Sequence, residues 1–130
     1  MSDNPKDVMA VALGKAPMQL IPPVAEELMA RVLEGGAAKY GVFNWREQSI
    51  AIQTYIGAIM RHTAAIRRGE DIDTESGLPH MAHIMATAAI VLDATEHQTL
   101  IDDRPPSRGS RCESTQSSGD TPGGLGPTSL

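Results

Sequence analysis

The chain has 130 residues, of which 41% are hydrophobic and only 3% aromatic, and its formal net charge is −5. This acidic balance argues against a nucleic-acid partner, which needs clustered Lys and Arg, and no segment has the roughly 20 apolar residues of a membrane span. The one cysteine, Cys112, has no disulfide partner, so the reducing cytoplasm is the expected compartment. Because runs of β-branched residues are scarce, we predict one all-α domain, a compact helical bundle over residues 1–97.

The segment before the first clear helix has an open role. Its apolar residues could form one short helical turn, or an arm that packs on the domain or on a neighbouring chain. They are Val8, Met9, Val11, Ala12 and Leu13.

The first predicted helix opens at Pro22–Pro23, because proline needs no amide donor in a first turn, and runs to the Gly35–Gly36 pair. Val24, Leu28 and Val32 share one face by their spacing of four. A separate polar face carries Glu27, Arg31 and Glu34.

The second predicted helix starts near Asn44, a plausible N-cap that is followed three residues later by Glu47. It continues to about Arg68, and Gly69 ends it. Its apolar positions repeat at intervals of three and four, which indicates a long helix buried along one side. They are Ile52, Tyr55, Ile56, Ile59, Met60, Thr63 and Ile66.

The third predicted helix follows the loop EDIDTESGLP and carries another apolar stripe. Stripes this broad on so small a domain favour pairing with a second copy, so a homo-oligomer, either a dimer or a tetramer, is expected. The stripe consists of Met81, Ile84, Met85, Ala88, Ala89 and Leu92.

After this helix the composition changes. Residues 98–130 are rich in Ser, Gly, Pro and Thr and offer almost no apolar side chain to bury. We therefore predict a disordered tail over this range.

The densest polar feature is the acidic segment between the second and third helices. Like charges packed this closely repel, and a hard divalent cation would relieve the repulsion, although a solvated acidic loop is the alternative explanation. His80 and His83, three residues apart at the start of the third helix, could join such a site as metal or phosphate contacts. The four carboxylates belong to Glu70, Asp71, Asp73 and Glu75.

A second group of candidates follows the first helix, in the stretch KYGVFNWRE. Lys39 could contact phosphate as a point charge, Tyr40 and Trp45 could stack on a base, and Asn44 could bond a base edge. The alternative is that the two aromatic rings close the end of the bundle.

Arg61 and His62 are adjacent cations on the second helix, and they suggest an anion nearby, either the acidic loop or a substrate triphosphate. Glu34, at the end of the first helix, is either an exposed acid or a ligand. The sequence has no Gly-rich phosphate loop, dinucleotide fingerprint, nucleophile elbow or zinc-protease motif. A nucleotide enzyme of this composition would therefore hold phosphates through metals and side chains.

The strings GGAAKYGVFNWR and RHTAAIRRGEDIDTESGLPHMAHIMA resemble the phage-encoded dATP/dGTP diphosphohydrolases. These are a branch of the MazG-like all-α nucleotide pyrophosphohydrolases, which includes the MazZ proteins of viruses that replace adenine by 2-aminoadenine. The resemblance covers roughly Met18 to Ala94. Its most specific part is the string GExxDxExGxxHxxH, which begins at Gly69 and ends at His83.

The resemblance implies a helical oligomer in which Mg²⁺ or Mn²⁺ activates a water that attacks the α-phosphorus of dGTP, with dATP as a second substrate, so that pyrophosphate leaves. The implied catalytic residues are Glu34, Glu70, Asp73 and Glu75. The implied metal ligands are the same four with Asp71, His80 and His83. The implied phosphate contacts are Lys39, Arg61 and His62, and the implied base contacts are Asn44 and Trp45.

The sequence departs from the usual Glu-Glu-x-x-Glu cluster of the MazG pattern, because Glu26–Glu27 is followed by Ala30 and Arg31. Two other function classes stay open at this point. One is a pyrophosphohydrolase for pyrimidine or modified nucleotides, which would differ only around Asn44 and Trp45. The other is a non-enzymatic helical adaptor that binds partners through its apolar stripes.

Overall fold

The computed structural model describes residues 3–106, and Cys112 and residues 107–130 of the predicted tail lie outside that range. The described chain is helical with a few two-residue strands, which confirms the all-α class. Its helices are α1 (Pro5–Ala12), α2 (Pro23–Tyr40), α3 (Asn44–Glu47), α4 (Ile52–Arg67) and α5 (His80–Glu96), and a 3₁₀ turn spans Met18–Leu20. Its strands are β1 (Ile50–Ala51), β2 (Ile72–Asp73), β3 (Leu78–Pro79) and β4 (Leu100–Ile101). No helix within residues 3–106 is long and apolar enough to cross a membrane.

Helix α2 opens at Pro23, as predicted, but the prediction that it stops at Gly35–Gly36 was wrong. The helix continues through both glycines to Tyr40 and ends at Gly41, whose φ of 100° a residue with a side chain rarely adopts. Glycine only weakens a helix interior, by about 1 kcal/mol relative to alanine, so packing against α5 overrides the local preference. The extension places Lys39 and Tyr40 on the helix itself.

The prediction of one helix from Asn44 to Arg68 was also wrong at its start. Asn44 is the first residue of the short helix α3, and the chain then becomes extended through β1 before α4 begins at Ile52. The first turn of α4 is capped from a distance, because the Gln53 backbone N–H donates to the Asp103 carboxylate at 2.9 Å. Long-range pairing thus replaces the predicted local cap.

The folded part of the chain extends beyond residue 98, where the tail was predicted to start. Strand β4 lies within the segment predicted as tail, and it pairs in parallel with β1, with Ile50 opposite Leu100. Together with the Asp103 cap on α4, this pairing makes residues 99–103 part of the fold. Two apolar residues in an otherwise polar stretch were too weak a signal to predict a strand.

Helix α5 occupies the centre of the domain, with α4 packed along one side and α2 along another. The buried residues among 3–106 are small: apart from Ile50 and His80 they are Ala65, Ala82, Ala86 and Ala94. The apolar stripe predicted on the third helix exists, but it does not form this core. Met81 and Leu92 are 62% and 71% exposed, because α2 and α4 pack on the alanine side of α5 instead.

Candidate functional site

Three histidine rings meet where α4 and the start of α5 pack together. His62 Nδ1 lies 2.8 Å from His80 Nδ1, and the His62 ring stacks on that of His83 with centroids 4.7 Å apart. His83 Nε2 contacts Ser76 Oγ at 2.7 Å and Asp73 Oδ2 at 3.3 Å. We call these five residues the histidine cluster. It joins two helices to the hairpin that precedes α5.

The β2–β3 hairpin positions the carboxylate of this cluster. Asp73 and Leu78 pair across the hairpin, and the Gly77 N–H donates to the Asp73 carbonyl at 2.7 Å, with Gly77 at a φ of 74°. Ser76 Oγ donates to Asp73 Oδ2 at 3.0 Å, so the carboxylate is held by its own turn. The DTESG segment therefore folds back to present Asp73 to His83.

The environment of the cluster disfavours the protonated form of His62 and favours the ionised form of Asp73. Burial, together with the charges of His83 and His80, holds the pKa of His62 below its ordinary value. Burial raises the pKa of Asp73, but hydrogen bonds from Ser76 and Glu75 and the nearby histidines outweigh it, so the net pKa is lowered. At neutral pH the cluster therefore combines an ionised carboxylate with an uncharged His62.

An apolar pocket of about 250 Å³ lies between α2, α3, α4 and α5, farther along α5 from the cluster. Thr87 lines the pocket, and its hydroxyl donates to the His83 carbonyl at 2.7 Å, so the pocket and the cluster are one helical turn apart. The polar or aromatic residues of its lining are Tyr40, Phe43, Asn44, Trp45, Tyr55 and Thr87.

One wall of the pocket is fastened to α5 by an ionic contact. Asp93 accepts a hydrogen bond from Trp45 Nε1 at 2.7 Å and two from the Arg46 guanidinium at 2.7 and 3.0 Å. The guanidinium also lies 4.2 Å from the centroid of the Phe43 ring. These hydrogen bonds lower the pKa of Asp93 to about 2. We call these four residues the α3 anchor; it fixes the orientation of the Trp45 ring.

Comparison with known proteins identifies a family for this chain. The family model described as dATP/dGTP diphosphohydrolase, N-terminal, matches residues 5–104. The chain belongs to this dATP/dGTP diphosphohydrolase family. A protein of Salmonella phage PMBT28 named dATP/dGTP diphosphohydrolase is 37% identical over 91 residues, which are 70% of this chain and 31% of that protein. The chain thus spans about a third of that relative's length. No solved structure matches this chain.

The family resemblance suggested seven metal ligands, and the structure brings together only three of them. Asp73, His80 and His83 meet in the histidine cluster, whereas Asp71 is exposed and hydrogen-bonded there only through its backbone carbonyl, which accepts from the His80 N–H. The remaining acids each pair with a nearby cation: Glu34 with Arg31 at 3.5 Å, Glu70 with Arg68 at 3.6 Å, and Glu75 with Lys39 at 3.8 Å.

Among residues 3–106, no three His, Cys, Asp or Glu side chains are placed so that they could hold a metal ion. The ring nitrogens that would bind a metal are directed at one another instead, since His62 Nδ1 and His80 Nδ1 lie 2.8 Å apart. This arrangement of side chains does not fit a bound cation.

The other predicted contacts divide between the two regions of the site. Asn44 and Trp45 line the pocket, His62 lies in the histidine cluster, and Lys39 reaches the hairpin through Glu75. Arg61 is exposed on α4 beside His62.

Sequence reasoning missed Ser76, Tyr55 and the Asp93 partner of Trp45. Ser76 lies inside the GExxDxExGxxHxxH string at a position that the string leaves variable. Asp93 carried a usable signal, because it is the first charged residue after an uninterrupted run of uncharged residues on α5. A carboxylate that directly follows an apolar run lies close to the packed part of a helix, where a charged group favours a paired partner.

Proposed function

We propose that this chain hydrolyses purine deoxynucleoside triphosphates, dGTP and dATP, to the deoxynucleoside monophosphate and pyrophosphate. Family membership and the name of the phage relative support a diphosphohydrolase of these nucleotides. The observation that carries the proposal is the aromatic-lined pocket, which lies one helical turn from a cluster of histidines and a carboxylate. A base and its phosphates need these two environments side by side.

The pocket suits a nucleobase rather than a whole nucleotide. Its volume of about 250 Å³ is below the roughly 300–1,000 Å³ of sites that enclose drug-sized ligands. The rings of Trp45 and Tyr55 offer faces for stacking, and the Asn44 amide can both donate to and accept from a base edge. The triphosphate would then extend along α5 towards His83.

Cationic and basic groups lie on the path of that triphosphate. Lys39 pairs with Glu75 on the surface, a contact that is easily exchanged for a phosphate. His62 and Arg61 are the other proposed phosphate contacts, from α4. Asp73 is the carboxylate that we favour as general base, because it is ionised at neutral pH and lies in the histidine cluster, 3.3 Å from His83 Nε2.

Dependence on Mg²⁺ or Mn²⁺ is a separate part of the proposal. It rests on the donor chemistry of the segment 70–75, whose carboxylates suit hard cations. The side chains described above would have to move to form a metal site. The roles proposed for Asp73 and Lys39 are therefore argued without a metal ion. Mn²⁺ added to chelator-treated protein should raise its melting temperature, and an unchanged melting temperature would remove the metal from the proposal.

We also propose the biological setting, which is nucleotide metabolism in the cytoplasm of a phage-infected cell, and a homo-oligomer as the working form. The oligomer is supported by the small buried core of the single chain.

The test of substrate class is a panel of nucleotides. Purified full-length protein is incubated with each of the four common dNTPs and with Mg²⁺ or Mn²⁺, and the products are separated by ion-exchange chromatography. We expect dGMP and dAMP with pyrophosphate from the purine substrates, and much less product from dCTP and dTTP. Preferred turnover of pyrimidine or modified nucleotides would indicate a different pyrophosphohydrolase, and no turnover of any nucleotide would favour the adaptor.

A further inference from the structure

One wall of the apolar pocket is a face of α2, and Gly36 lies in the middle of that face. Val32, Gly36 and Tyr40 follow one another at intervals of four, so they share one side of the helix. Gly36 is half-buried there, whereas the neighbouring Gly35 is exposed and is not part of the lining. The other α2 residues of the lining are Leu33 and Ala37.

The fold of residues 3–106 gives no reason for a glycine at position 36. Glycine weakens a helix interior relative to alanine. Gly41, which also lines the pocket, has a φ of 100° at the end of α2 that favours glycine, but Gly36 lies within the helix and has no positive φ. A Cβ added at Gly36 would meet no packing neighbour within 4 Å. The missing side chain therefore leaves space in the pocket rather than room for another helix.

A base of the larger kind needs such space. The pocket of about 250 Å³ is closed on its other sides by α3, α4 and α5, and Trp45 and Tyr55 line it from two of them. A purine is a fused double ring, so it needs a longer slot than a pyrimidine when both stack on the same aromatic rings. Because α2 forms one wall, a side chain added at Gly36 would shorten that slot.

We propose that Gly36 determines the preference for purines, because its missing side chain lets the second ring of the base pack against the α2 backbone. A pyrimidine would leave this space unfilled and lose the corresponding dispersion contacts. This role rests on the proposed function and deepens it, since Gly36 selects the size of the base, whereas Asn44 contacts its edge.

The first test compares Gly36→Leu with Gly35→Leu. Leucine is a good helix former, so neither change should lower the melting temperature or the helix content measured by circular dichroism. Fluorescence of Trp45, the one tryptophan of the chain, measures the binding of dGMP and dCMP. Gly36→Leu should raise Kd for dGMP about 10-fold or more and leave that for dCMP within about threefold, while Gly35→Leu should change neither. Equal losses for the two nucleotides, or the same effect from both substitutions, would overturn the proposal.

A smaller substitution tests the same role without a large side chain. Gly36→Ala should raise the melting temperature, as Gly35→Ala does, because alanine is the better helix former. It should also lower the ratio of kcat/KM for dGTP to kcat/KM for dCTP by about threefold or more, since the added methyl group occupies the space of the second ring. A more stable Gly36→Ala variant with an unchanged ratio would contradict the role of Gly36.

The binding and kinetic results together separate the role of Gly36 from the hydrolase activity. If wild type hydrolyses dGTP but the Gly36 variants lose no purine preference, the hydrolase stands and the role of Gly36 is wrong. If wild type binds dGMP selectively, Gly36→Leu loses that binding and no dNTP is hydrolysed, Gly36 keeps its role and the hydrolase is wrong. A wild-type chain that neither binds nor hydrolyses purine nucleotides would remove both.

Discussion

The histidine cluster and the α3 anchor both bring a carboxylate to α5 or its hairpin, but they satisfy their polar groups differently. In the anchor, Asp93 meets only donors and a positive charge, and its pKa falls to about 2. In the cluster, one carboxylate lies beside crowded imidazoles, and burial together with the charges of His83 and His80 lowers the pKa of His62. Polar groups that satisfy one another fasten a fold, whereas crowded groups whose charges oppose one another concentrate at functional sites. The comparison assigns stability to the anchor and chemistry to the cluster.

The largest expected effect follows from removing the charge at the cluster. Asp73→Asn should lower kcat/KM for dGTP by roughly 100-fold or more, the usual contribution of a general base, while the melting temperature changes little. The matched control is Asp71→Asn two residues earlier, whose side chain is exposed and should be dispensable. Steady-state kinetics and thermal unfolding decide. An equal loss in both variants would mean that the loop acts through its total charge.

The corresponding change in the anchor should have the opposite profile. Asp93→Asn removes the charge that holds Arg46 and weakens the contact to Trp45, so the melting temperature should fall by several degrees. Because Trp45 forms a pocket wall, KM for dGTP should rise more than kcat falls. Glu27→Gln, at an exposed position on α2 outside both regions, is the control and should change neither quantity. A loss confined to kcat would place Asp93 in the chemistry and break the comparison.

The pH dependence of stability sharpens the same distinction. The pKa of Asp93 is lowered in the folded chain from 3.8 to about 2, so its contribution is present above about pH 4. It is lost as the pH falls towards 2, because the carboxylate then becomes protonated in the folded state as well. Chemical unfolding at several pH values should show wild type and Asp93→Asn converging over this window. A constant difference between them would contradict the proposed role of the charge.

The smallest effect concerns α2, which reaches both regions through Lys39 and Tyr40. If the helix is continuous through Gly35, then Gly35→Ala should stabilise the domain by about 0.5–1 kcal/mol, because nothing lies within 4 Å of an added Cβ. The reverse change at the neighbouring exposed position, Ala38→Gly, should destabilise it by a similar amount. Denaturant unfolding measures both. Destabilisation by Gly35→Ala would show that α2 breaks at the glycine pair.

The helical class and the approximate positions of three helices were predictable, because apolar spacing within one segment is a local property. The motif spacing also brought Asp73, His80 and His83 together, since a hairpin and one helical turn separate them. His62 could not be placed in the same way, because it reaches His80 only through the packing of α4 on α5.

The sequence was misleading where distant partners decide the structure. Strand β1, which has only two residues, interrupts the helix expected from Asn44, because it pairs with the distant strand β4. The acids of the loop were expected to converge by charge density, yet Glu75 pairs with Lys39 on α2. Ion pairs with neighbours on different elements cannot be inferred from the number of carboxylates in a segment.

The central claim is that water attacks the α-phosphorus of a purine deoxynucleotide held between the pocket and the histidine cluster. Hydrolysis of dGTP in ¹⁸O-labelled water, followed by mass spectrometry of both products, tests it most directly. The account predicts the label in dGMP and none in pyrophosphate, with labelled dGMP forming roughly 100-fold more slowly in the Asp73→Asn variant. Label in pyrophosphate or in free phosphate, or labelling at an equal rate by the variant, would contradict it.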